Sequence, residues 1–122
     1  MLQTHKKLMT SLLLFSLTCW GVGAQKIVLG TYYFKNGVGI YTGELSKNKP
    51  HGKGRATYNN GDVYEGDWVN GLMEGQGILR QADGTKYKGE FRAGLKDGHG
   101  IQEDKNGNRF EGEFRAGEKI LR

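Results

Sequence analysis

The opening of one short segment returns three times at a constant spacing of 23 residues, at positions 41, 64, 87 and 110. Tyr41-Thr42-Gly43-Glu44-Leu45 recurs as Tyr64-Glu65-Gly66-Asp67-Trp68, Tyr87-Lys88-Gly89-Glu90-Phe91 and Phe110-Glu111-Gly112-Glu113-Phe114. A glycine pair follows each of the first three openings (Gly52/Gly54, Gly75/Gly77, Gly98/Gly100), and a turn glycine closes each unit at Gly61, Gly84 and Gly107. No insertion or deletion breaks the register between Tyr41 and Phe114. A chain built this way folds as a stack of equivalent units, in which each unit completes its neighbour and the product is a surface.

The residues within a unit specify strands. In Tyr64-Glu65-Gly66-Asp67-Trp68-Val69 the aromatic and glycine positions alternate with charged ones, the period of a half-buried antiparallel strand. The same split separates Tyr87, Gly89 and Phe91 from Lys88, Glu90 and Arg92, and Phe110, Gly112 and Phe114 from Glu111, Glu113 and Arg115. Turn-rich segments follow, among them Asn70-Gly71, whose residues both tolerate positive φ. Asn60-Gly61, Asp83-Gly84 and Asn106-Gly107 are expected to close tight hairpins. Two hairpin-linked strands per unit give a β-meander of about eight strands when the partial units at both ends are included. The units read as a half repeat over 30–40, whole repeats over 41–63, 64–86 and 87–109, and a half repeat over 110–122.

This combination of Tyr-x-Gly-Glu-aromatic, Gly-x-Gly and Asn/Asp-Gly resembles the MORN (membrane occupation and recognition nexus) repeat family across essentially residues 30–122. Leu45 departs from the aromatic position, and Gln102-Glu103-Asp104 makes one second strand unusually polar. The resemblance implies an all-β fold, an elongated single-layer twisted antiparallel β-meander. Composition agrees, because no helix or second sheet is available to cover an aromatic face. The rows Tyr41, Tyr64, Tyr87, Phe110 and Leu45, Trp68, Phe91, Phe114 are expected to close over the glycines between them, each buried aromatic stabilising by about 2–3 kcal/mol. On this reading Gly43, Gly66, Gly89 and Gly112, with the paired glycines 52, 54, 75, 77, 98 and 100, are structural.

Residues 1–24 read as a signal peptide: Lys6 and Lys7, an apolar run from Leu8 to Trp20, then Val22-Gly23-Ala24 before a cut at Gln25. The apolar run is shorter than the roughly 20 residues that span a bilayer. Cys19 does not make a lipoprotein site, since Leu17 is one place from the required position and Thr18 is too large. Residues 25–122 would then form the exported domain, in the periplasm, envelope or medium. Loss of Lys6 and Lys7 takes the net charge from +5 to +3, and interspersed charge of this size serves solubility and implies no nucleic-acid partner.

No catalytic constellation emerges, and neither a cofactor, a metal nor a small-molecule substrate is expected. Gly52-Lys53 lacks the spacing of a phosphate loop. The carboxylates Glu44, Asp67, Glu90 and Glu113 are equivalent by repetition, whereas acid–base catalysis needs two in unlike environments. They are expected to cap the same turn or meet the same kind of neighbour. His51 and His99 are not repeat-equivalent and make a weak metal pair. The expected function is therefore a non-catalytic interaction module that binds a protein partner or itself. Its interaction surface would be Tyr41, Tyr64, Trp68, Tyr87, Phe91, Phe110 and Phe114, if the aromatic face is open, or the end strands near 30–34 and 110–115. Lys35, Arg109 and Arg115 could discourage pairing at those ends. An alternative is acidic lipid held by Lys47, Lys49, Lys53 and Arg55, although +3 is little charge for that purpose. The resemblance also extends to accessory segments of phosphatidylinositol-4-phosphate 5-kinases, the reading least supported here, because 98 residues of repeat (25–122) leave no room for a kinase domain.

Overall fold

The computed structural model describes residues 26–121. The expected leader and Cys19 lie outside them. The described chain forms one sheet of nine antiparallel strands in sequence order: β1 Val28–Tyr33, β2 Gly39–Ser46, β3 Lys49–Tyr58, β4 Val63–Val69, β5 Leu72–Arg80, β6 Lys86–Arg92, β7 Leu95–Glu103, β8 Arg109–Arg115 and β9 Glu118–Lys119. The ninth strand, beyond the eight expected, is a two-residue return that pairs Phe114 with Lys119 and Arg115 with Glu118. At about 4.8 Å per strand the sheet runs on the order of 40 Å.

Two kinds of hairpin alternate. Along one margin, two-residue turns with both φ values positive join β2 to β3 (Lys47, Asn48), β4 to β5 (Asn70, Gly71), β6 to β7 (Ala93, Gly94) and β8 to β9 (Ala116, Gly117). That backbone matches the strand twist, which is why Asn-Gly suits it. The opposite margin differs from expectation. The Asn60-Gly61, Asp83-Gly84 and Asn106-Gly107 pairs do not form two-residue turns, because only the glycines have positive φ. Gly61, Gly84 and Gly107 instead donate back to Tyr58, Gln81 and Asp104, whose own N–H groups reach Asp62, Thr85 and Asn108. These are three-residue loops closed by a glycine bulge. The extra residue before Tyr41 is taken up by a 3-10 turn at Lys35–Gly37.

The registers stack one glycine from each of β1 to β8 into a single stripe: Gly30, Gly43, Gly54, Gly66, Gly77, Gly89, Gly100 and Gly112. This stripe lets one layer have a core. A Cβ on Gly54, Gly77 or Gly100 would strike the ring of Tyr41, Tyr64 or Tyr87, so each tyrosine lies flat in the trench. A Cβ on Gly43, Gly66 or Gly89 would instead strike the facing backbone, for example within 2.5 Å of the Gln76 carbonyl at Gly66. The opening glycines therefore make room for the next strand, and it is the second glycine of each pair that makes room for the ring.

Over the stripe the aromatic side chains form an unbroken edge-to-face chain. Tyr41 meets Trp68 (centroids 5.0 Å), Trp68 meets Tyr64 (5.1 Å), Tyr64 meets Phe91 (4.9 Å), Phe91 meets Tyr87 (5.2 Å), Tyr87 meets Phe114 (4.9 Å) and Phe114 meets Phe110 (5.5 Å). Interplanar angles of 78–88° place positive ring edges on negative faces. Each link joins strands of neighbouring repeats or the two rows of one repeat, so burial propagates along the array. Leu45 takes the aromatic position in the first unit and is buried.

Candidate interaction surface

The rings expected to form an interaction surface are the core. Tyr41, Tyr64 and Tyr87 have no exposed surface, Trp68, Phe91 and Phe114 are 2–3% exposed, and Phe110 alone is partly open. The physical reason is the trench: rings lying on glycine and tiled edge to face cover one another without a second layer. The hydroxyls are satisfied as well. Tyr41, Tyr64 and Tyr87 donate to the carbonyls of Glu44 (2.6 Å), Asp67 (2.9 Å) and Glu90 (2.9 Å), three residues on in each case. Burial pushes the Tyr87 hydroxyl up to about 12, and it raises Tyr64 further.

The carboxylate row is structural in the way repetition implies. Between Gly43↔Gly54 and Leu45↔Pro50 the register shifts, and residues 51–53 oppose Glu44 alone. The bulge frees a backbone N–H, and the carboxylate takes it. Lys53 N–H donates to Glu44 (2.7 Å), Gln76 N–H to Asp67 (2.9 Å) and His99 N–H to Glu90 (3.2 Å). Gly52, Gly75 and Gly98 sit at positive φ beneath these carboxylates, where a side chain would strike them. Burial opposes the charge on Asp67, but the Lys53 ammonium and the Gln76 N–H outweigh it and hold the carboxyl low. A second row escaped sequence reasoning. His51, Glu74 and Asp97 stand 23 apart and accept the N–H of Asn70 (3.4 Å), Ala93 (3.0 Å) and Ala116 (3.1 Å), the first residues of the next two-residue turns. Their differing chemistry hides the shared role as acceptor.

The candidate basic site is not assembled. Lys47 is in the β2–β3 turn and Lys49 follows it, Lys53 is engaged by Asp67, and Arg55 faces Glu65 across the ladder. His51 and His99 are on β3 and β7, with three strands between them. His99 stands beside Glu111 (3.3 Å) and Glu113 (3.7 Å) on the polar face. The polar stretch in β7 is compensated locally: Lys96 and Gln102 replace the Met73 and Leu79 of the preceding unit. They bond to each other at 2.6 Å, with the ammonium over the Tyr87 ring.

Among the described residues, no strand pairs with the outer side of β1. Leu29 is 80% and Tyr33 71% exposed, with Ile27, Val28, Val38 and Ile40 each nearly half exposed around them. β1 reads Val-Leu-Gly-Thr-Tyr-Tyr and carries no charge. At the other end β8 alternates Arg109, Glu111, Glu113 and Arg115, and β9 covers part of it with Glu118 and Lys119. Apolar, uncharged edge strands are sites of strand addition, whereas charged and short ones resist it.

The sequence profile of the MORN repeat matches three consecutive segments, residues 41–63, 64–86 and 87–109. The chain is a MORN-repeat protein. The profile's boundaries coincide with the units defined by Tyr41, Tyr64 and Tyr87, and the glycine trench is what those units encode. MORN repeats serve generally as modules for interaction with proteins or membrane lipids and are typically non-catalytic. No curated protein matches the chain.

Proposed function

We propose that this MORN array is an exported, non-enzymatic interaction module of the cell envelope that binds a protein partner or itself. The observation that supports it is the uncharged β1 edge with Leu29 and Tyr33 exposed, on a sheet whose aromatic rows are buried. Export rests on the three-part leader pattern of residues 1–24. Anionic lipid is the less favoured ligand, because the cations proposed for it are divided between a turn and acid-paired positions on the sheet.

A photo-crosslinking residue placed at Tyr33, and in a second strain at Lys88 on the charged face, tests the reading in cells. The expected result is a mature chain beginning at Gln25 in the envelope fraction, with a discrete adduct from position 33 and none from position 88. An unprocessed cytosolic chain, or no adduct from position 33, overturns it.

A further inference from the structure

We propose that β1 is a self-recognition strand, pairing antiparallel with β1 of a second copy about a two-fold axis through Thr31. This deepens the interaction-module reading and rests on it. The backbone fixes which groups are free. Phe34 N–H donates to Gly39 C=O, and the β1–β2 register is continuous from Tyr33↔Ile40 to Val28↔Leu45. Antiparallel ladders alternate, so Val28, Gly30, Tyr32 and Phe34 direct their backbone groups to β2. Leu29, Thr31 and Tyr33 direct theirs outward.

A second copy centred on Thr31 places Thr31 opposite Thr31, and Leu29 opposite Tyr33 on both sides of the axis. Every outward N–H and C=O of these three residues then finds a partner. The two most exposed apolar side chains of the strand cover each other across the new ladder, an aromatic–aliphatic pair of the kind that stabilises sheets. The aromatic faces of the two copies fall on the same side, because directly paired residues share a face. No like charges meet, since β1 has none. The contact is isologous and closes as a dimer. Growth from the other end is opposed by the charged β8 and by β9, so the same device does not produce a filament.

The test is the mass of the purified protein by light scattering, for the wild type and for Thr31→Lys and Thr31→Asp. Thr31 is exposed, so both variants are expected to keep the wild-type melting temperature within a few degrees. The wild type is expected to dimerise. Each variant alone places like charges face to face and should raise the dimer Kd by about tenfold or more. An equimolar mixture of the two should recover the dimer through opposite charges at the axis. A wild type that stays monomeric at concentrations on the order of 100 μM overturns self-pairing. So does a dimer indifferent to both substitutions, or a mixture no better than either variant. Should the crosslink at position 33 trap a different protein while the purified chain is monomeric, the interaction module stands and self-pairing falls.

Discussion

At the scale of single residues, two different glycine requirements are distinguishable by experiment. Gly66 has no room for a Cβ because the Gln76 carbonyl and the Gly77 Cα stand 2.5 Å from where it would be. Backbone cannot rotate away as a side chain can, so Gly66→Val is expected to cost about 1–3 kcal/mol, read from the urea midpoint. An unchanged midpoint would refute the packing. The buried tyrosines set an alkaline limit. Tyr87 ionises at about 12 when folded against 10.0 ordinarily. A folded-state value raised in this way contributes stability that is intact below pH 10 and is lost as pH climbs from there towards 12. Melting temperature should therefore fall across that window. Tyr87→Phe, the residue nature uses at the equivalent Phe110, should flatten part of the fall. A profile identical in the variant would contradict the assignment.

At the scale of the hairpin, each bulge depends on a carboxylate accepting a backbone N–H. The Lys53–Asp67 ion pair is largely exposed on the lysine side, and such pairs contribute little because solvent screens them. The Gln76 N–H bond should matter more, because without it the bulge leaves a donor unsatisfied. Asp67→Ala is expected to cost about 1–2 kcal/mol and Lys53→Ala distinctly less in thermal unfolding. Equal costs would mean that the ion pair, and not the amide seat, is what counts. The turns show unequal optimisation. Ala93 holds φ +50, a region that costs an ordinary residue about 1–2 kcal/mol and that asparagine tolerates. Ala93→Asn, copying Asn70, is expected to stabilise by about 1 kcal/mol in the same measurement, and destabilisation would contradict the turn assignment. Much of this was legible beforehand. The period, the strand alternation, the Asn70-Gly71 turn and the equivalence of Glu44, Asp67 and Glu90 are all visible as residues. Two things were not. The seating of rings on Gly54, Gly77 and Gly100 depends on cross-strand register, which places residues 13 apart in contact (Tyr41 and Gly54). The row His51, Glu74 and Asp97 shares a bond but no chemistry, so repetition of type could not reveal it.

At the scale of the whole molecule, the array is a one-dimensional stack in which every strand pairs only with its sequence neighbours. The aromatic face is closed. Six of the seven residues expected there are buried by the very packing that makes a single layer stable. Closing that face moves the unsatisfied capacity to the ends, and among the described residues the ends are unequal: one is charged and capped by a short return, with Leu121 exposed beyond it, and the other is unpaired backbone flanked by Leu29 and Tyr33. Hydrogen exchange of the β1 amides in the purified protein, at high and low concentration, tests this most directly. Gly30 and Tyr32, bonded to β2, should be protected at both concentrations. Thr31, with its outward N–H, should be protected only when concentrated and become fast on dilution. Fast exchange of Thr31 at every concentration would contradict the account, and fast exchange of Gly30 and Tyr32 would contradict the register on which it stands.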